Sequence, residues 1–251
     1  MTGGGSGIGA ATAAALAEAG ASVLVAARNE EEVVGVAAGL RERGYEAFAL
    51  QCDVTRPLQV RDMALSAREA MQRVDILVNS AGTATSNPLG RITLAEWDHI
   101  LAVNATGTFL CTQAVFQGMV EQGWGRVVNV ASMAGLQGDR YIAAYTAAKH
   151  AVVGFTKAVA AEAEGTGVTV NAVCPGYVDT PLTEETIERI MKHTGNSREW
   201  ALQAILDQSG QTRLIGASEV AAAIAGLCQD ERGEHNGRML VLDGSGQWMS
   251  A

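Results

Sequence analysis

Short apolar runs alternate along the chain with longer amphipathic segments, and this alternation constrains the fold most strongly. The apolar runs predict β-strands at residues 22–27, 46–51, 75–80, 126–131, 168–173 and 238–243. Helical periodicity lies around them, at about residues 8–19, 30–43, 57–72, 93–119, 141–164 and 217–229. Because strands that alternate with helices form βαβ units, the pattern predicts a single doubly wound α/β domain over residues 1–251. Its strands are apolar throughout, which is typical of a parallel sheet covered by helices on both faces.

The acidic composition excludes several classes of partner. A net charge of −9 and a pI near 5.0 oppose non-specific binding to nucleic acid or to an anionic membrane surface. The sequence shows no apolar run long enough for a membrane span and no signal peptide, so we expect a cytoplasmic protein. Its cysteines and histidines are scattered, which predicts reduced core thiols and no metal site.

A glycine-rich stretch at residues 2–9, TGGGSGIG, directly precedes the first helical pattern. Gly3, Gly7 and Gly9 would let the backbone approach a pyrophosphate, and the helix start would supply N–H groups. The next strand ends near Ala27–Arg28, about twenty residues further on, where a dinucleotide-binding fold places its ribose-binding residue. The stretch therefore predicts a cofactor loop in a Rossmann-type domain, although GGGSG is also typical of a flexible linker.

The glycine-rich stretch lies almost at the start of the chain, where a β-strand would be expected to precede it. A phosphate-binding loop of this kind follows a β-strand, yet this chain begins almost at the loop. We therefore expect the first, central strand to be missing or truncated, unless another segment takes its place. A sheet without that strand leaves two rows of unpaired backbone groups, so we expect added apolar residues to stabilise the protein.

Ser132, Tyr145 and Lys149 form a candidate catalytic trio. Tyr145 and Lys149 are four residues apart in a helical pattern, which places them on one face. At about 4 Å and an effective dielectric constant of about 20, their attraction is worth about 4 kcal/mol. This could lower the tyrosine pKa by roughly three units before any opposing desolvation. Ser132 follows a predicted strand. The three side chains together suit proton transfer at a carbonyl or alcohol oxygen. The alternative is that the Tyr–Lys pair occurs by chance on an exposed helix face.

With these pieces in order, the chain resembles the short-chain dehydrogenase/reductase family. The matching motifs are TGGGSGIG at 2–9, DV at 53–54, NSAG at 79–82, Asn104, Ser132, YTAAK at 145–149 and NAVCPGYVDT at 171–180. The resemblance spans the chain except for the first strand, and it departs from the family at Ser80 and at Ser245. It implies an NAD(P)-dependent dehydrogenase/reductase (EC 1.1.1.-) that interconverts ketones and alcohols by hydride transfer. It also implies a homotetramer or dimer, with helices 93–119 and 141–164 at one interface.

The resemblance assigns a role to each matching residue. The catalytic residues would be Asn104, Ser132, Tyr145 and Lys149, with Tyr145 as the general acid or base. Asn104 would position a water molecule in a proton relay to Lys149, and Ser132 would orient the carbonyl group. The implied cofactor-binding residues are Gly3, Ser6, Gly7, Ile8, Gly9, Arg28, Asp53, Val54, Asn79, Ala81, Gly82, Tyr145, Lys149, Pro175, Gly176, Val178 and Thr180.

The choice of cofactor depends on Ala27 and Arg28. An acidic residue at the end of this strand would accept hydrogen bonds from both ribose hydroxyls of NAD. Arg28 instead suits the geometry of a phosphate group, so NADP(H) is favoured and NAD(H) remains possible. The alternative is a solvated arginine at a strand end. Ser6 stands where NADP-dependent relatives often carry a basic residue.

Residues 180–215 interrupt the strand–helix alternation with two short helical patterns separated by Gly195. We expect a substrate lid here, with a plain surface excursion as the alternative. Nearby basic residues could meet the phosphates of a CoA or carrier-protein thioester, or could be ordinary surface charges: Arg140, Arg189, Lys192, Arg198 and Arg213.

The sequence around these elements looks most like reductases of 3-oxoacyl thioesters and polyketide intermediates. Hydroxybutyrate and hydroxyacyl-CoA dehydrogenases look similar. Two alternatives stay open, namely a dehydrogenase of another small or cyclic secondary alcohol and a cofactor-binding protein without turnover.

Overall fold

The computed structural model describes residues 1–245 and 248–250. All six predicted strands are present, as β1 (Val23–Ala27), β2 (Ala47–Gln51), β3 (Ile76–Asn79), β4 (Gly125–Val130), β5 (Val168–Pro175) and β6 (Met239–Leu242). A seventh strand, β7 (Trp248–Ser250), follows them. Strands β1 and β2 pair in parallel, and the remaining strands are paired in the order β3-β4-β5-β6-β7. The doubly wound α/β arrangement is therefore confirmed.

The sheet departs from the prediction at its outer edge, where β7 pairs antiparallel to β6. Residues 243–247 connect these two strands. Such a short connection leaves no room for the crossover that parallel strands need, so the chain can return only in the antiparallel direction.

Helices cover both faces of the sheet, as predicted. They are α1 (Gly7–Glu18), α2 (Glu30–Glu42), α3 (Pro57–Met71), α4 (Leu94–Leu101), α5 (Gly107–Gln122), α6 (Ala143–Glu162), α7 (Pro181–Thr194), α8 (Arg198–Ser209) and α9 (Ala217–Cys228). Neighbouring residues of one strand enter different cores. Val25 packs in the cluster that contains residues of α1, α2 and α9, whereas Leu24 packs in the cluster with residues of α3, α5 and α6. This explains why the strands are apolar throughout.

The single helical pattern predicted at 93–119 is divided in the structure. Residues Ala102–Thr106 form one π-helical turn between α4 and α5. The side-chain amide of Asn104 donates hydrogen bonds to the carbonyl oxygens of Ile100 and Thr83, both at 2.9 Å. A side chain that bonds to the helix carbonyls in this way widens the turn and connects it to the loop after β3.

Met1 and Thr2 occupy part of the gap between β1 and β3. The amide of Thr2 donates to the carbonyl of Val78 at 3.0 Å, and the amide of Ala26 donates to the carbonyl of Met1 at 2.9 Å. The terminal ammonium of Met1 donates to the carbonyl of Leu24 at 2.9 Å, and burial lowers its pKa to about 6. Beyond Met1, a mostly apolar cavity of about 500 Å³ separates the two strands. Among the described residues, no strand precedes β1, and two residues stand where the central strand was expected.

All four cysteines are free thiols with buried side chains. Burial raises the pKa of Cys52 and Cys174 to about 11, and that of Cys111 and Cys228 to about 12. The thiols therefore contribute to the core as small apolar side chains. In the described part of the chain, no helix combines the length and the apolar character needed to cross a membrane.

Candidate active site

A cavity of about 270 Å³ lies at the carboxyl ends of the parallel strands. It is bordered by the start of α1, by the loops after β3, β4 and β5, and by α6 and α7. Open α/β sheets place their ligands at this edge. Most of the predicted site residues line it: Gly3, Ser6, Gly7, Ile8, Ala81, Gly82, Asn104, Ser132, Tyr145, Lys149, Pro175, Gly176, Val178 and Thr180.

The other predicted residues do not line this cavity: Gly9, Arg28, Asp53, Val54 and Asn79. Arg28 is exposed after β1, and Asp53 follows β2, the neighbouring strand. Burial acts to raise the pKa of Asp53, but hydrogen bonds from Thr55 and the charge of Arg28 hold it below its usual value. Asn79 is buried, and its side-chain amide donates to Thr112 at 3.0 Å and to the side chain of Asn129 at 2.9 Å.

The loop before α1 presents backbone amides to the cavity. Gly3 and Gly7 adopt φ angles of 62° and 50°, which side-chain-bearing residues rarely adopt. A Cβ atom on Gly9 would lie far inside van der Waals contact with the carbonyl oxygen of Gly3. Within residues 1–245, no side-chain hydrogen bond from the N-cap residue Ser6 caps the helix start. The first amides of α1 are therefore available to an anion such as a phosphate group.

The elements β4 and α6 bring the trio of Ser132, Tyr145 and Lys149 together. Ser132 follows β4, and its hydroxyl accepts a hydrogen bond from the amide of Ala134 at 3.1 Å. Tyr145 and Lys149 lie one turn apart on α6, with the Lys149 Nζ atom 5.6 Å from the centre of the Tyr145 ring. The same Nζ atom donates to the carbonyl of Val130 at 2.8 Å. The predicted helical spacing thus places both side chains at the cavity.

The electrostatics of the trio differ from the sequence-based expectation. Burial raises the pKa of Tyr145 to about 12, and hydrogen bonding with Ser132 lowers it only in part. Burial also lowers the pKa of Lys149 to about 8. The sequence indicates an attraction to Lys149 that would lower the tyrosine pKa before any opposing desolvation. In the structure desolvation of the phenolate is the largest effect on this pKa, and the ammonium group bonds to Val130. At neutral pH the Tyr145 phenol therefore carries its proton.

Asn104 and Gly82 meet at the inner wall of the cavity. A Cβ atom on Gly82 would lie 3.0 Å from the Asn104 Oδ1 atom and 3.8 Å from the Lys149 Nζ atom. A side chain at position 82 would therefore crowd the Asn104 Oδ1 atom. The structure therefore places Asn104 next to Lys149, and its role in a proton relay stays a prediction.

Several residues of the cavity wall were not predicted from the sequence as site residues, including Gln137, Asp139 and Tyr177. They lie in the loops after β4 and β5, so their position after predicted strands was the available signal. Tyr177 is held by Gln211, whose side-chain oxygen accepts a hydrogen bond from the Tyr177 amide at 2.7 Å. Because Tyr177 and Gln211 are 34 residues apart in the sequence, no local pattern indicates this contact.

Comparisons with known proteins agree with this arrangement. Residues 1–190 match the family described as short chain dehydrogenase. A 3-oxoacyl-[acyl-carrier-protein] reductase of Synechocystis sp. is 38% identical over 228 residues, covering 90% of this chain and 91% of that protein. A D-beta-hydroxybutyrate dehydrogenase of Rhizobium meliloti is 34% identical over 253 residues, covering 97% of this chain and 96% of that protein. The crystal structure of a variant actinorhodin polyketide ketoreductase with NADPH gives a TM-score of 0.92 at 38% identity, covering 97% of this chain and 94% of that one. The chain belongs to the short-chain dehydrogenase family.

Proposed function

We propose that this short-chain oxidoreductase is an NADP(H)-dependent reductase of 3-oxoacyl thioesters or related polyketide-like ketones. One observation carries the proposal, namely the side chains of Tyr145, Ser132 and Lys149 together in a cavity that also contains uncapped helix amides. The reductase of acyl-carrier-protein substrates and the polyketide ketoreductase among its relatives support this substrate class.

The residues present fit a nicotinamide dinucleotide. The left-handed glycines and the free amides at the start of α1 suit its pyrophosphate, and the space left by Gly82 suits its ribose beside Lys149. Asp53 and Val54 would hold the adenine, and residues 175–180 would contact the nicotinamide. When bound, the nicotinamide ring supplies the hydride that the carbonyl carbon receives.

Ser132, Tyr145 and Lys149 would carry out the proton transfer to the substrate oxygen. Ser132 would donate a hydrogen bond to the substrate carbonyl and orient it, and Tyr145 would protonate the same oxygen as negative charge develops. At neutral pH this phenol carries its proton, and because burial raises its pKa to about 12, proton donation would depend on stabilisation of the phenolate that forms. The ammonium group of Lys149 would stabilise the phenolate left after proton transfer.

The proposal is tested by measuring oxidation of NADPH and NADH with acetoacetyl-CoA. We expect turnover with NADPH to exceed turnover with NADH. Cofactor binding without turnover would contradict the proposed substrate, and would favour another ketone or alcohol or the non-catalytic alternative.

Replacing Arg28 by alanine tests the choice of cofactor. We expect the Kd for NADPH to rise about tenfold or more, because a charge-assisted hydrogen bond to the 2′-phosphate is worth about 1.5–3 kcal/mol. The Kd for NADH should stay within about twofold. Nicotinamide fluorescence titration measures both constants without turnover, and Arg41→Ala on α2 is a matched exposed control. An equal loss of affinity for both cofactors would show that Arg28 does not bind the phosphate.

We also propose that α7 and α8 form the substrate lid. Leu182, Thr183 and Thr186 of α7 and Ser209 of α8 contribute to the cavity wall. Gly195 ends α7 at a φ angle of 72°, which separates the two helices as predicted. Residues that line the cavity from this segment would therefore select the substrate.

Self-association as a dimer or tetramer through α5 and α6 is a further part of the proposal. Phe109 is 42% exposed and packs edge-on against Phe155 at 6.2 Å between ring centres. Gly154 lies nearby on α6, with open space around it. A face with exposed aromatic and small residues suits close packing against a second copy. The four free thiols fit the reducing cytoplasm, where we expect the protein to act.

A further inference from the structure

The structure distinguishes among the basic residues near the lid: Arg140, Arg189, Lys192, Arg198 and Arg213. Arg198 donates two hydrogen bonds to Glu184, at 2.8 and 2.6 Å. Arg213 likewise donates to Glu219, at 2.7 and 2.8 Å. Arg140 and Lys192 are exposed and lie outside the cavity wall. Of these five residues, only Arg189 lines the cavity that contains Tyr145.

Arg189 is half-buried and makes little use of its hydrogen-bonding capacity. Its Nη2 atom donates one long hydrogen bond, of 3.4 Å, to the carbonyl of Ala84. Glu96 is close enough for the charge of Arg189 to lower its pKa, after the larger effects of hydrogen bonds from Thr85 and Asn87. Among the described residues, no carboxylate forms an ion pair with Arg189. A guanidinium group has five N–H donors, so most of them remain available at the cavity.

A partly desolvated cation at a cavity wall is unfavourable unless an acceptor comes close to it. We propose that Arg189 binds an anionic group of the substrate, a carboxylate or a phosphate, while the ketone lies at Tyr145. The planar guanidinium group suits bidentate contact with either anion. The inference rests on the proposed function, since it assigns a substrate class to the same site.

Arg189 would also connect two parts of the cavity wall. It belongs to α7, whereas Ala84 belongs to the loop after β3. An anion bound by Arg189 would be held at the place where these two segments meet. Arg189 would therefore set specificity, because it contacts a part of the substrate other than the reacting carbonyl.

The test compares three substrates that share one 3-oxobutanoyl group: acetoacetate, acetoacetyl-CoA and neutral ethyl acetoacetate. For Arg189→Gln we expect the KM of at least one anionic substrate to rise tenfold or more, since one charge-assisted contact is worth about that factor. The kcat of that substrate should change by less than about threefold, because an interaction equally strong in ground and transition states affects only KM. All constants for ethyl acetoacetate should stay unchanged, and Arg189→Lys should restore part of the loss.

The control is Arg198→Gln, which removes a paired arginine from the same lid. It should leave the kinetic constants of all three substrates unchanged. A loss with acetoacetate alone identifies a carboxylate as the bound group, whereas a loss with acetoacetyl-CoA alone identifies a phosphate. An equal loss with the neutral ester, or unchanged KM values for both anions, would overturn the inference.

A second readout separates this inference from the proposed function. Calorimetric titration of acetoacetate and acetoacetyl-CoA into the protein with bound NADP⁺ gives Kd values without turnover. Weaker binding of either anion to Arg189→Gln than to the unchanged protein supports the inference, even if none of the three ketones is reduced. Absent turnover would then count against the proposed function alone. Failure of both anions to bind the unchanged protein would overturn the inference.

Discussion

Replacing Tyr145 by phenylalanine should lower kcat for ketone reduction by about a hundredfold or more, the usual contribution of a general acid. In free energy this is about 2.7 kcal/mol of transition-state stabilisation. The substitution removes only the hydroxyl group that would protonate the substrate oxygen in the proposed reaction. The remaining ring keeps its place near the Lys149 ammonium group and its packing against the buried cluster that contains Ile100 and Ala148. We therefore expect an intact fold and a specific loss of the chemical step.

The measurement is NADPH oxidation under saturating substrate, together with the melting temperature of each variant. Tyr141→Phe is the matched control, because Tyr141 is exposed and lies outside the cavity wall. It should leave kcat unchanged. If Tyr145→Phe retains near-normal turnover while remaining folded, Tyr145 is not the acid.

An amino-terminal extension of about seven apolar residues, the length of an ordinary strand, should raise the melting temperature by about 6–12 °C. Added residues would continue the pairing that Thr2 begins with Ala26 and Asn79. They would also fill the cavity of about 500 Å³ between β1 and β3. A peptide bond would replace the buried ammonium group of Met1, whose pKa of about 6 reflects its desolvation. Several hydrogen bonds at about 1 kcal/mol each make about 3 kcal/mol a reasonable gain.

Differential scanning calorimetry of the extended and unextended proteins measures this effect. An extension of equal length that contains only glycine and serine is the control, because it cannot fill an apolar cavity. Equal melting temperatures for the apolar extension and the unextended chain would contradict the prediction. They would show that Met1 and Thr2 already satisfy this part of the sheet.

Most of the fold could be predicted from periodicity, because the parallel strands form short apolar runs that alternate with longer amphipathic helices. Strand β7 escaped notice because its three residues, Trp248–Ser250, are too few to form a pattern. The division of the helix predicted at 93–119 could not be predicted from the sequence either, because it depends on hydrogen bonds of Asn104 to backbone carbonyls. A single widened turn changes the helical periodicity too little to be detected in a short segment.

The composition of the candidate site was predictable, but its electrostatics were not. Spacing placed Tyr145 and Lys149 on one face of a helix, and the structure brings both to the cavity with Ser132. The pKa of Tyr145 depends on how much water the tertiary fold removes, which no local pattern reports. The same holds for the lid arginines. The ion pair between Arg198 and Glu184 forms only when α7 and α8 are folded together. Of the five basic residues near the lid, Arg189 is the one that lines the cavity.

The burial of all four thiols has a consequence for the chemical stability of the folded protein. Electrophiles attack the thiolate form of cysteine, and attack requires contact with solvent. Cys174 lies in β5 directly before Pro175 of the cavity wall, yet it is fully buried and its pKa is about 11. The other three thiols are equally sequestered. The folded protein is therefore inherently resistant to alkylation and oxidation at its cysteines, and thiol labelling would report only molecules that have unfolded.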